Sequence, residues 1–183
     1  PGGRAEGGHP SGGKTTGLQV SRPGGKGNKG TYVTETPPTA ETSYHASFAF
    51  NANTLTTGTN LNAVLTIFQA RTAAGGQVFT VQFRRSAGVN QIRTVMAGSA
   101  VPSQWVNLTA GSHTIRVDWT AGATGSLGFV LDAVVVLPTL TGNTGPRTVE
   151  TALLGLTAGV TTSTSMLGTG FFDSFVSTRF TLP

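Results

Sequence analysis

The sequence predicts an all-β fold: a two-sheet antiparallel β-sandwich of the jelly-roll kind, carrying an extended glycine-rich N-terminal arm. Three observations carry that prediction. Apolar and polar residues alternate with period two through segment after segment, the pattern of half-buried strands. Breaks rich in glycine and asparagine separate these segments every 8–14 residues, which is hairpin spacing. No segment joins a helical period to caps at both ends. The nearest, TVETALLGLTA at 148–158, has Gly155 inside it and reads as a strand.

The elements follow in order. GLQV (17–20) and TYVTE (31–35) are short opening strands. SYHASFAF (43–50) puts Tyr44, Ala46, Phe48 and Phe50 on one face, with His45 and Ser47 on the other. NAVLTIFQ (62–69), QVFTVQFR (77–84) and NQIRTVMA (90–97) come next at even spacing. HTIRVDW (113–119) alternates cleanly: Ile115, Val117 and Trp119 inward, Thr114, Arg116 and Asp118 outward. LGFVLD (127–132), AVVVL (133–137), RTVETALLG (147–155) and FFDSFVSTRF (171–180) complete the set. Between them AAGG, SAG, TAG, AGATGS and TGNTGP supply residues that tolerate the positive φ of tight turns.

Charge and glycine divide the 183-residue chain in two. Residues 1–30 hold 11 of the 26 glycines and all three lysines, and they carry +4 of the net +5. Residues 31–183 are nearly neutral, with seven arginines against six carboxylates. Domains are therefore expected at 1–16, a basic arm with glycine pairs every five residues, and at 17–183, the sandwich. A body so poor in charge, with threonine, serine, asparagine and glutamine as its polar surface, is unusual for a free cytosolic domain. There is no cysteine, which excludes disulfides and thiolate metal sites. No run approaches 18 apolar residues, so no membrane span is expected. The chain starts at proline without an apolar leader, consistent with a processed, exported chain.

Several phrases, in order, resemble a family of bacterial secreted domains with the concanavalin A-like, or laminin-G-like, jelly roll. They are GLQV (17–20), TYVTETPPTAETSYHASFAF (31–50), VFTVQFRRSAGVNQIRTVM (78–96), HTIRVDW (113–119), LGFVLD (127–132) and FFDSFVSTR (171–179). The resemblance covers about residues 17–180. It implies an extracellular, non-catalytic module, although the wider fold also holds lectins and glucanases. One departure stands out: the family commonly turns on Asp-Gly after the strand matching 127–132, whereas Asp132 here precedes AVVVL. That run is expected to be buried on both faces, as in a sheet interior; the alternative is a surface that another subunit covers.

Chemistry is sparse in the sequence. Sugar hydrolysis needs two carboxylates about 5–9 Å apart. Glu35, Glu41 and Glu150 each stand alone at strand spacing, and Asp118, Asp132 and Asp173 fall on different strands, so a pair would have to assemble across strands. His9, His45 and His113 lack metal-ligand spacing, and both strand histidines read as exposed polar positions. Calcium-loop spacing and a Gly-x-Ser-x-Gly elbow are also missing. GHPSGGKT (8–15) satisfies the bare phosphate-loop pattern, but it lacks the strand before and the helix after that such a loop requires. No catalytic residue, metal or cofactor is therefore assigned.

What remains is a non-catalytic extracellular structural subunit that assembles with copies of itself into a filament, layer or sheath. Its arm, with Arg4, Lys14, Arg22, Lys26 and Lys29, would contact a neighbouring subunit by strand addition. The alternative is a lectin-like adhesive module binding extracellular glycan through Trp105 and Tyr44. Five basic charges spread over 26 residues give no specific nucleic-acid site.

Overall fold

The computed structural model describes residues 17–22, 30–37, 39–57, 63–159 and 167–180. In chain order the strands are β1 (Leu18–Arg22), β2 (Thr31–Glu35), β3 (Ser43–Asn51), β4 (Leu65–Arg71), β5 (Gln77–Ser86) and β6 (Val89–Met96). They continue with β7 (Val106–Leu108), β8 (Ser112–Thr120), β9 (Gly125–Leu131), β10 (Val134–Val135), β11 (Leu140–Gly142), β12 (Thr151–Ala158) and β13 (Gly168–Thr178). One sheet runs β1-β13-β3-β8-β9-β10, with β11 also on β9; the other runs β2-β12-β4-β5-β6-β7. All pairings are antiparallel. This is the expected concanavalin A-like sandwich. Among the described residues no helix is long and apolar enough to cross a membrane.

The register follows from burying one face of each strand, since a one-residue slip would turn every inward side chain outward. Phe48 lies opposite Ile115, and Tyr44 opposite Trp119, across β3 and β8. Phe79, Val81 and Phe83 of β5 face Met96, Thr94 and Ile92 of β6. Their rings meet between the sheets: Phe68 stacks on Phe48 and Phe79, at 5.6 and 5.8 Å between centroids, and Phe50 meets Phe83 edge-on. Trp119 is fully buried, as its place in HTIRVDW predicts.

The AVVVL run is corrected by the structure. Asp132 and Ala133 take positive φ (50° and 65°), which closes a two-residue turn after β9. β10 thereby becomes the edge of its sheet, and Val134, Val135 and Leu137 are exposed. Burial on both faces would need a layer packed above and below the strand. This segment is a two-residue edge strand in a sandwich of two sheets, paired among the described residues with β9 alone. The histidines are corrected too. His45 and His113 are buried, each held by a carboxylate.

Candidate functional site

Outward positions on the β2-β12-β4-β5-β6-β7 sheet follow from its pairing. Gln82 of β5 sits between Thr66 of β4 and Arg93 of β6. Arg84 of β5 faces Gln91, which in turn faces Asn107 of β7. Gln69 of β4 lies between Leu153 of β12 and Thr80 of β5, and Thr34 of β2 lies beyond Leu153. Tyr32 shares this parity, opposite Gly155. Gly155 adopts φ +124°, and a Cβ there would come within 2.4 Å of the Thr31 carbonyl oxygen, so glycine is what lets β2 close on β12 beside Tyr32.

The polar groups on this face are tied to one another. Arg93 Nε donates to Gln82 Oε1 at 2.8 Å, and Arg84 Nε donates to Gln91 Oε1 at 2.9 Å. Gln91 Nε2 donates to Asn107 Oδ1 at 2.8 Å, and Arg71 donates to Gln69 Oε1 at 2.7 Å. Both guanidinium carbons of the first pair lie over the Trp105 ring, Arg84 at 4.1 Å and Arg93 at 4.4 Å from its centroid. Each such contact is worth about 0.5–2 kcal/mol, depending on desolvation. Burial, and then the charge of Arg84, hold the Arg93 guanidinium below the ordinary arginine value. Two like charges are thus drawn onto one indole in a domain that is otherwise nearly neutral. Further along the same face Thr80 is buried, and its hydroxyl, like Arg71 Nε, has no hydrogen-bond partner among the described residues. The arrangement favours an anion that also offers hydroxyls.

Trp105, expected as an exposed ring, is half-buried on the outer face with two guanidiniums over it. Tyr44 is not a surface ring. Its ring is only 2% exposed, packed against Phe68 and Phe79, so it offers no platform to a glycan. Its hydroxyl donates to Glu35 Oε2, and burial, then Glu35, push its pKa strongly upward. Of the proposed arm residues, Arg22 ends β1, while Arg4, Lys14, Lys26 and Lys29 lie outside the described residues.

Sequence reasoning left the carboxylates isolated, but the fold brings Glu35 and Glu41 to one cavity of about 250 Å³ with Tyr44 and Arg179. Both oxygens of Glu35 are engaged, by Tyr44 and Ser177. Glu41 accepts from Arg179 Nε and from Thr39 Oγ1. The Glu35–Ser177 contact fastens the end of β13 to the other sheet.

A second cavity, about 540 Å³, opens at the other end of the sandwich beside Arg85, Asn90 and His113. His113 Nδ1 meets Asp132 Oδ2 at 2.6 Å, and its Nε2 meets the Thr109 carbonyl at 3.1 Å. Two acceptors on one ring favour the imidazolium. Burial opposes it, but the bonds to Asp132 and Thr109 and the charge of Asp132 outweigh burial and raise the pKa. For Asp132 burial pushes upward, and the His113 bond, the Thr114 N–H and the His113 charge together lower it. The raised His113 contributes stability below its unfolded value and loses it as pH rises through the folded one. Asp132 contributes above its unfolded value and loses it as pH falls. The pair is therefore expected to stabilise most between about pH 4 and 6.5. Because Asp132 is half exposed, the gain is at most about 1 kcal/mol. Urea midpoints measured at pH 5.5 and 9 are expected to differ in that sense, and His113→Gln is expected to flatten the difference.

No family model matches the chain, and no curated protein sequence matches it. Solved structures do. The endo-beta-1,4-glucuronan lyase from the fungus Trichoderma reesei is 15% identical with a TM-score of 0.61, over 91% of this chain and 83% of that one. A double mutant of alginate lyase Aly36B in complex with an alginate tetrasaccharide is 10% identical with a TM-score of 0.58, over 92% and 82%. The alginate lyase from Klebsiella pneumoniae is 10% identical with a TM-score of 0.54, over 75% and 60%. The chain shares the jelly-roll fold of these lyases. Against these likenesses, the expectation of a non-catalytic, self-assembling subunit does not stand, and neither does that of a lectin-like module. That expectation rested on finding no carboxylate pair, metal-ligand spacing or nucleophile elbow in the sequence. The polar array on this face is built from other groups, spread over five strands and a loop.

Proposed function

We propose that the chain is a polysaccharide lyase acting on a uronate-containing polymer, bound across the outer face of the β2-β12-β4-β5-β6-β7 sheet. One observation carries this reading: Arg84 and Arg93 are held over Trp105 and locked by Gln82 and Gln91. A guanidinium fork suits a carboxylate, and an indole suits the apolar face of a sugar ring. The lyases of similar fold are named for alginate and glucuronan, both polyuronates.

β-Elimination begins at the proton on C5, beside the uronate carboxylate. Neutralising that carboxylate stabilises the negative charge that forms when a base removes the proton. The electron pair then makes the C4=C5 double bond and expels the 4-linked glycosidic oxygen, which takes up a proton. Arg71 with Gln69 is the carboxylate neutraliser nearest Tyr32 on this sheet, two strand spacings away laterally and four residues along in register. That is a backbone separation of roughly 16 Å, which the two long side chains and a sugar ring between them span. Tyr32 is exposed on the same face; as phenolate it takes the C5 proton, and the phenol so formed gives it to the leaving glycosidic oxygen. Arg84 and Arg93 hold a further uronate of the same chain. An extracellular place, as in the secreted bacterial domains that the sequence resembles, fits a polymer of this kind.

The test is incubation with alginate, polyglucuronate and polygalacturonate, following the ultraviolet absorbance of the unsaturated product. Absorbance is expected to rise with one of them. Tyr32→Phe is expected to abolish the rise while binding persists. If no unsaturated product forms from any of the three, the proposal fails.

A further inference from the structure

The opposite sheet carries a second chemical arrangement on its own outer face. Period-two alternation in β3 puts Ser43 and His45 on one side, and the β3–β8 register sets Asp118 directly opposite His45. Cross-strand pairs of this kind hold their Cβ atoms about 4.5–5.5 Å apart. The side chains then meet in series. Asp118 Oδ1 lies 2.8 Å from His45 Nδ1, and His45 Nε2 lies 2.9 Å from Ser43 Oγ. A carboxylate can only accept, so Nδ1 carries the proton and Nε2 is left to accept from the Ser43 hydroxyl. Arg116 Nε donates to the other Asp118 oxygen at 3.2 Å, which helps to orient that carboxylate. His45 is buried and its ring is fixed from both ends, whereas Ser43 is half exposed.

From this geometry we infer a second activity, independent of the lyase reading: hydrolysis of short O-acyl esters, with Ser43 as nucleophile, His45 as general base and Asp118 as its orienter. Nucleophile, base and orienter within hydrogen-bond reach are the recurring signature of covalent acyl transfer, whatever fold carries it. No Gly-x-Ser-x-Gly elbow is needed where alternation on a strand and register across it bring the three together.

The surroundings define the ester. Ser43 lies opposite Thr120, and Thr120 lies opposite Ser126. The hydroxyls of Thr120 and Ser126 share one hydrogen bond at 2.9 Å. One of their two protons is therefore left over and can be given to a developing oxyanion. A hydroxyl-bearing neighbourhood suits an acetyl-sized group on a polar alcohol better than a lipid ester.

In the first step Ser43 O–H gives its proton to His45 Nε2 while Oγ bonds the acyl carbon. The ester C–O bond then breaks, and the alcohol leaves with the proton from His45. Water next attacks the acyl-serine. His45 takes its proton and returns one to Ser43 Oγ. Ester and water become acid and alcohol, with nothing else consumed.

The experiment pairs p-nitrophenyl acetate hydrolysis with labelling of the intact chain by a fluorophosphonate, located by peptide mass. A burst of p-nitrophenolate and a label on Ser43 are expected. Ser43→Ala is expected to lose the label and to lower the rate by about 100-fold or more. His45→Ala is expected to do nearly the same, with circular dichroism showing that both variants fold. Ser47→Ala, at an outward serine of the same strand that is not part of the series, is expected to leave both readouts unchanged. Ester turnover that survives Ser43→Ala, a label on another residue, or a wild-type rate no faster than free imidazole would each overturn the inference.

Discussion

Replacing Arg93 by alanine is expected to weaken binding of an acidic polysaccharide by about 2–3 kcal/mol, a roughly 30- to 150-fold rise in Kd or KM, because a charged hydrogen-bonding fork is lost from a half-buried site. Gln82 loses its donor and Trp105 loses one of two cations, while Arg84 is released from the like charge that strains the pair. That strain is itself a reason for the size of the effect. A bound carboxylate relieves repulsion between two guanidiniums held over one indole, so the empty site is primed for an anion. Arg93→Lys restores the charge without the planar fork and is expected to recover only part of the affinity. The wild-type affinity is expected to fall with added salt, and to fall less steeply once Arg93 is gone. Isothermal titration with polyuronate oligomers at two salt concentrations reads both. Equal affinity for a neutral oligosaccharide of the same length would contradict the assignment.

The fold was legible because the core strands announce their buried face. HTIRVDW alternates in sequence as β8 alternates in burial, and FFDSFVSTRF becomes β13 with Phe172 inward. The failure at AVVVL has a local cause. Whether a run of valines lies inside a sheet or along its edge depends on what pairs beside it, and the turn at Asp132 and Ala133 decides that. His45 failed for a related reason: outward-facing and exposed are different properties once Asp118 on the next strand meets the ring. His113 instead shares the inward parity of Ile115, Val117 and Trp119 at the start of β8.

The candidate site was half legible. QFRRSAGVNQIR holds Gln82, Arg84, Gln91 and Arg93 at alternate positions of one hairpin. Asking what the outer face carries, as well as what the inner face buries, would have found a cationic and amide-rich surface there. Trp105, Arg71 and Tyr32 join it only through tertiary placement, from a loop and two further strands. The Ser43–His45–Asp118 series has the same character. Its i, i+2 half is visible in SYH, and its third member lies 73 residues from His45.

Phe68→Ala is expected to be the costliest single change to stability. The ring is fully buried and lies against Tyr44, Phe48, Phe79 and Phe175, drawn from both sheets. Deleting a phenyl group there loses its transfer free energy and leaves a cavity that flanking strands, fixed by their ladders, refill poorly. The cost is about 3–5 kcal/mol, or roughly 10 °C in Tm for a chain of this length. Phe180→Ala removes the same group from an 83% exposed position and is expected to change Tm by about 1–2 °C at most. The two variants carry equal losses of apolar mass, so a comparable drop in both would show that packing at Phe68 is not what holds the sheets together. A second consequence reaches the outer face. Phe68 is followed in β4 by Gln69, which faces outward and accepts from Arg71. If β4 shifts as the cavity partly closes, the Arg71–Gln69 pair moves with it, while Arg84 and Arg93, on β5 and β6, are braced by their own amides. Phe68→Ala, assayed well below its lowered Tm, is therefore expected to reduce kcat on a polyuronate more than it raises KM.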